Sequence, residues 1–102
     1  MNKKENNKIV IWWIRRDLRI SDNPALKAAA DSGLPILPLF IIDPKLFDNA
    51  PLVRKNFLLD GLAQLSRQLE QYGGKVILLA GRPEQVFHKL KQTVEIETVY
   101  AG

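Results

Sequence analysis

The sequence predicts an α/β fold of the Rossmann-like type, in which an open parallel sheet of about four strands carries helices on both faces. Apolar blocks rich in β-branched residues occupy positions 9–14, 36–42 and 75–80, and stretches with helical spacing separate them. Within each block, apolar residues do not alternate with polar ones. This pattern is typical of strands covered on both faces, as parallel strands are. Strands and helices that alternate along a chain form parallel sheets with right-handed crossovers.

The composition indicates one compact cytoplasmic domain. The chain has 102 residues, of which 46% are hydrophobic, and two domains of half this size would each bury too little apolar surface. Cysteine is absent and histidine occurs once, so we expect neither disulfides nor a metal site. The formal net charge of +4 favours an anionic partner. No apolar run approaches the about 20 residues of a membrane span, and no signal-peptide pattern is present, so we expect no membrane contact.

The first crossover begins after the strand at 9–14. Asn23 or Asp22 is suited to cap a helix, and Pro24 suits its first position, where the missing backbone donor costs nothing. Good helix formers follow, and Gly33 is expected to end the helix.

The second crossover follows the block at 36–42. Pro38 lies inside this block and lacks a backbone donor, so we predict a local break in strand pairing there. The next helix carries an apolar stripe at intervals of four and three residues. Its members are Leu58, Leu62, Leu65, Leu69 and Tyr72. Gly73 and Gly74 supply the left-handed stop before the buried strand at 75–80.

The third crossover opens at Pro83, a residue favoured at the first helical position, with Glu84 near the positive end of the helix dipole. Its expected buried face consists of Val86, Phe87 and Leu90. A short fourth strand is predicted at 97–100.

Ligands of open parallel sheets bind beyond the carboxyl ends of the strands, so the loops at 15–22, 43–51 and 81–82 are the candidate site. The first loop concentrates charged residues. They are Arg15, Arg16, Asp17, Arg19 and Asp22. Such charges either fix the loop through guanidinium–carboxylate pairs or hold an anionic ligand.

Residues 13–26, W-I-R-R-D-L-R-I-S-D-N-P-A-L, resemble the opening signature of the DNA photolyase and cryptochrome family. One position departs from it, since Ile14 stands where the family usually has an aromatic residue or histidine. The similarity continues along the chain. It includes the segments 38–44, 57–58, 81–83 and 99–100. It therefore covers nearly everything from Ile9 onward.

The resemblance implies that a longer parent protein is a deoxyribodipyrimidine photolyase, which repairs cyclobutane pyrimidine dimers in DNA with blue light and reduced FAD. In the family a helical domain, which this chain lacks, binds the flavin and the damaged DNA. The role that the resemblance implies for this chain is light collection. Without the rest of the protein, the chain is expected to be inactive. A cryptochrome photoreceptor without repair activity fits equally, and a free-standing Rossmann-like nucleotide-binding module is a third alternative.

The resemblance also implies a site at the rim of the sheet for a light-harvesting pigment, a folate or a deazaflavin and in some members a flavin. Arg16, Phe40 and Ile42 would line this site, with Asp43 nearby. For Phe40 and Ile42 the alternative is plain core packing. The other charged and polar residues of the first loop are interpreted as loop scaffold. They are Arg15, Asp17, Arg19, Asp22 and Asn23.

The expected domain boundaries are a flexible polar tail at 1–8 and the α/β domain at 9–102. Because the chain stops at Gly102, directly after its fourth strand, we expect it to be truncated before the family's fifth strand. An uncovered strand edge can pair with another chain. We therefore expect that the domain could form a dimer through this edge.

Overall fold

The computed structural model describes residues 8–15 and 18–102, and the fold is given for these residues. They form one sheet in the order β3-β2-β1-β4. Its strands are β1 (Lys8–Ile14), β2 (Ile36–Ile42), β3 (Ile77–Ala80) and β4 (Glu95–Ala101). Every neighbouring pair is parallel, which confirms the predicted open parallel sheet.

The helices lie on both faces of the sheet, as predicted. They are α1 (Pro24–Asp31), α2 (Pro44–Asp48), α3 (Leu52–Glu70) and α4 (Pro83–Thr93). Residues of α1 and α3 pack on the face that carries Trp12 and Phe40. Residues of α4 pack on the opposite face, against Ile11 and Leu39. The sequence did not predict α2, which lies within the expected loop at 43–51.

The first strand begins one residue earlier than predicted. Lys8, expected in the flexible tail, pairs with Glu95 at the start of β1 and β4. Its ammonium group lies 3.5 Å from the Glu95 carboxylate and 3.4 Å from that of Glu97. β4 likewise begins earlier than predicted, at Glu95 rather than at 97. The rest of the predicted tail, residues 1–7, lies outside the described residues.

The predicted break at Pro38 is wrong. Trp12 of β1 pairs with Pro38, and the register between β1 and β2 continues without a shift on either side. Pro38 is buried in the second strand from the edge of the sheet.

The direction of the backbone groups explains why Pro38 is tolerated. The Pro35 carbonyl bonds to β1, whereas the Ile42 carbonyl bonds to the residue that follows β3. Backbone groups of successive strand residues point to opposite neighbours, so the missing donor of Pro38 would face β3. Pairing with β3 starts only at Leu39, opposite Ile77. No ladder hydrogen bond is lost.

The block at 75–80 is not a fully buried strand, contrary to the prediction. It forms strand only from Ile77, and β3 lies at the edge of the sheet. Its side chains alternate between half-buried and exposed, and Leu78 is 48% exposed. Ile77 and Leu79 pack with the α4 cluster, while the opposite face of β3 is exposed to solvent.

The leucine stripe of α3 is buried where it faces the sheet. Leu62, Leu65 and Leu69 are buried and join the cluster around Trp12. Tyr72 lies beyond the helix and is 78% exposed, so its predicted place on the stripe is wrong.

The two glycines after α3 end the helix as predicted. Gly73 has a φ of +81°. The Gly73 N–H donates to the Glu70 carbonyl, and the Gly74 N–H donates to the Leu69 carbonyl. This pair of bonds is a Schellman motif, which turns the chain sharply toward β3.

Candidate functional site

The loops that follow the strands meet along one rim of the sheet, as the sequence predicted. The Gly81 N–H, after β3, donates to the Ile42 carbonyl at the end of β2, 2.9 Å away. The Arg15 N–H, after β1, donates to the Gly102 carbonyl after β4, 3.0 Å away. The carboxyl ends of all four strands therefore form a single rim.

An open cleft of about 580 Å³ lies at this rim, between the end of β2, α2 and the start of α3. Its volume is within the range of small-molecule sites in proteins. The lining is mainly apolar, with a few polar groups. It includes Phe40, Ile42, Leu46, Phe47, Ala50 and Leu58, together with Asp43, Asn49, Arg54 and Lys55.

Three of the four predicted pigment-site residues line this cleft. Phe40 is only 7% exposed and also belongs to the core cluster with Trp12 and Ile14. Ile42 and Asp43 are half-buried at the mouth. Core packing and cleft lining are therefore not alternatives for Phe40, since one side chain does both. Arg16, the fourth residue, lies outside the described residues.

Asp43 shapes one side of the cleft through the backbone. Its carboxylate accepts a hydrogen bond from the Lys45 N–H, 3.0 Å away, and so caps α2. Pro44 takes the first helical position. An Asp-Pro pair directly after a strand is a helix-start signal, and it could have predicted α2 from the sequence.

The α3 side of the cleft supplies positive charge. Arg54 and Lys55 lie in the first turn of α3 and line the cleft opposite Asp43. The Lys55 ammonium donates to the Asp48 carbonyl at 3.2 Å and lies 5.4 Å from the centre of the Phe47 ring. Sequence analysis missed both basic residues, because only the fold brings the start of α3 next to the end of β2.

Arg15 and Asp22, at the two ends of the first loop, lie within the described residues. The Arg15 guanidinium lies 4.9 Å from the centre of the Trp13 ring. Asp22 adopts a φ of +54°, a left-handed conformation in which aspartate is tolerated. Asp17, predicted as scaffold, is not among the described residues.

Asn23, rather than Asp22, caps α1. It is 3% exposed, and its Oδ1 accepts from the Leu26 N–H at 3.1 Å. Its Nδ2 donates to the Arg19 carbonyl at 2.9 Å, which joins the charged loop to the helix.

Within residues 8–15 and 18–102, no helix is long and apolar enough to cross a membrane. The same ranges contain no group of three or more histidine, aspartate or glutamate side chains that could hold a metal ion.

Comparison with known proteins identifies the family. A family model described as DNA photolyase matches residues 10–102. A deoxyribodipyrimidine photo-lyase from Synechococcus sp. is 34% identical over 93 residues, covering 89% of this chain and 19% of that protein. A cryptochrome DASH from Arabidopsis thaliana is 34% identical over 107 residues, covering 97% of this chain and 19% of that protein.

The fold matches those relatives as well. The crystal structure of a bacterial class III photolyase from Agrobacterium tumefaciens superposes with a TM-score of 0.79 at 37% identity, over 91% of this chain and 19% of that one. The chain thus spans about a fifth of the length of the relatives it matches. It belongs to the DNA photolyase family, which includes photolyases and cryptochromes, and corresponds to the amino-terminal α/β domain of its members.

Proposed function

We propose that this domain collects light for a photolyase by holding a pigment in the cleft between β2, α2 and α3. The observation that supports this most strongly is the convergence of Phe40, Ile42 and Asp43 on one rim cleft of suitable volume. Ligands of open parallel sheets bind at this end of the strands.

The chemistry of the cleft suits a flat conjugated ring with a polar edge. Phe40, Phe47 and Leu58 offer aromatic and apolar surface on which such a ring can pack. Arg54 and Asp43 provide a donor and an acceptor at the mouth. A folate or a deazaflavin has both properties, and Arg16 belongs to the proposed pigment site by family resemblance.

We further propose that the domain serves a full-length deoxyribodipyrimidine photolyase. In that enzyme, as the family resemblance implies, reduced FAD in a separate helical domain gives an electron to a cyclobutane pyrimidine dimer. Damaged bases are flipped out of the duplex into that domain. The present chain is therefore expected to bind neither FAD stably nor damaged DNA, and to repair nothing by itself.

Direct titration tests the pigment site. The purified chain is mixed with a methenyl-tetrahydrofolate, a hydroxylated deazaflavin or FMN, and ligand absorbance and fluorescence are followed. We expect saturable binding of at least one of them. Ala50→Trp, which fills the cleft, should abolish binding, whereas Leu78→Trp, on the exposed face of β3, should not. Equal binding by both variants would place the pigment elsewhere.

A cryptochrome is the second candidate, because the relatives of this chain include cryptochromes as well as photolyases, one of each at 34% identity. The two candidates share the domain and differ in what the full-length protein does. Blue-light illumination of dimer-containing DNA with the full-length protein separates them. Loss of dimers supports a photolyase, and unchanged DNA supports a photoreceptor.

A further inference from the structure

The outer wall of the rim cleft is a helix with little stability of its own. Helix α2 has only five residues, and its residues are mostly exposed, with Leu46 exposed to 74%. Isolated helices shorter than about 12 residues are marginal in water. Its backbone bonds include Phe47 N–H to the Asp43 carbonyl and Ala50 N–H to the Phe47 carbonyl. Something outside α2 is needed to hold it in place.

Lys55 supplies that attachment from the neighbouring helix. Its ammonium donates to the Asp48 carbonyl, in the last turn of α2, at 3.2 Å. The same ammonium lies 5.4 Å from the centre of the Phe47 ring, within the range of cation–π attraction. A cation at the carboxyl end of a helix is also favoured by the helix dipole. The Lys55 side chain thus contacts both the backbone of α2 and the half-buried ring of Phe47.

We propose that Lys55 is a positioning residue for the cleft, which fixes α2 so that Leu46 and Phe47 form the outer wall. Its part in ligand binding rests on the proposed pigment site, but its part in fixing α2 does not. Lys55 therefore acts through α2 and needs no contact with the pigment.

Arg54 provides a matched control for the charge. It lies one residue away in the same helical turn and also lines the cleft. Among the residues that the structure describes, its side chain makes no hydrogen bond or ion pair. Arg54→Met and Lys55→Met both remove one positive charge from the cleft, but only Lys55→Met removes a contact with α2.

Amide hydrogen exchange of the ligand-free chain tests the attachment. In Lys55→Met we expect the Phe47 and Ala50 amides to exchange about tenfold faster than in wild type, since a charged hydrogen bond and a cation–π contact are lost together. Lys55→Arg should restore wild-type exchange, because the guanidinium keeps both contacts. Arg54→Met should leave both amides unchanged. Wild-type exchange in Lys55→Met, or equal acceleration in Arg54→Met, would overturn the proposal.

Titration with the methenyl-tetrahydrofolate, the hydroxylated deazaflavin and FMN extends the test to the pigment. For the ligand that wild type binds, Lys55→Met should weaken binding severalfold and Lys55→Arg should restore it. Weaker binding in Lys55→Met with unchanged exchange would mean that Lys55 acts through its charge alone, which contradicts a positioning role. If wild type binds none of the three ligands, the pigment site fails, while the exchange experiment still decides whether Lys55 fixes α2.

Discussion

Trp13 and Phe87 pack edge to face, with ring centroids 5.1 Å apart and ring planes inclined by 75°. This contact joins β1, at the centre of the parallel sheet, to α4, the helix on the second face. The Arg15 guanidinium lies on the same indole. The rim loop after β1 is thereby connected to the packing of α4.

Truncation of Phe87 should destabilise the domain. Phe87→Ala removes apolar contacts and the aromatic pair, and we expect a loss of about 2–3 kcal/mol in the free energy of unfolding. Phe87→Leu keeps much of the apolar area and should cost about 1 kcal/mol. Urea denaturation of the three proteins gives the values. A leucine variant as stable as wild type would show that the ring geometry contributes nothing.

We expect the two hydrogen bonds of the Asn23 side chain to stabilise the domain. Asn23→Ala removes the cap of α1 and the bond to the Arg19 carbonyl, and we expect it to cost about 2 kcal/mol of stability. Asn23→Ser can still accept from the Leu26 N–H but cannot reach back to Arg19, so about half of the loss should return. Thermal denaturation checks both, and full recovery in the serine variant would remove any role for the second bond.

Alanine substitutions at the two glycines after α3 should differ in their effect on the stability of the domain. Gly73→Ala places a side chain at a φ of +81° and should cost about 1–2 kcal/mol. An added Cβ at Gly74 would lie 3.7 Å from the Leu69 carbonyl oxygen, an ordinary contact, so Gly74→Ala should be within about 0.5 kcal/mol of wild type. A chemical denaturation series compares them. Equal losses would contradict the helix stop at Gly73.

Lys8 should stabilise the fold up to alkaline pH. The Glu97 carboxylate, and then that of Glu95, raise the pKa of Lys8 above its usual 10.5. A pKa that is raised by folding stabilises the protein fully below the unfolded value, and the effect is lost as pH rises through the folded value. The difference in melting temperature between wild type and Lys8→Met should therefore be constant up to about pH 10 and shrink above it.

The carboxylates provide the control for Lys8. In a background with Glu95→Gln and Glu97→Gln, the effect of Lys8→Met should nearly vanish, because the two described carboxylates within ion-pair distance have lost their charge. High salt should reduce the wild-type effect as well. If the difference in melting temperature persists in the double-glutamine background, the effect of Lys8 comes from the packing of its aliphatic stem.

The uncovered edge of β4 should allow self-association, as the sequence led us to expect. The Gly102 N–H donates to the Trp13 carbonyl of β1, so by alternation the Val99 N–H points away from the sheet. If a dimer forms through this edge, Val99→Pro should abolish it without breaking the β1–β4 ladder, whereas Val99→Thr should not. Sedimentation velocity at high protein concentration measures the oligomeric state. A monomeric wild type would refute the dimer.

The sequence determined the order of the four strands and of every described helix except α2. Uninterrupted apolar blocks predicted the parallel sheet, because strands covered on both faces need apolar residues on both sides. Local signals that act within a few residues, such as Asn23-Pro24 and Gly73-Gly74, also predicted the ends of helices correctly. Three of the four predicted pigment-site residues line one cleft, because all three lie at the carboxyl end of β2, the end at which ligands of parallel sheets bind.

The tertiary structure decided what depends on neighbours distant in the chain. Pro38 is tolerated because its missing donor would face β3 before β3 begins, and the exposure of Leu78 follows from the edge position of β3. Packing between elements also decides a contact over a shorter stretch of chain: Lys55 reaches Asp48 and Phe47 only because α2 and α3 fold against each other. Local sequence carries no record of which strand lies at an edge or which side chain crosses between helices. Those features come from the packing of one element on another.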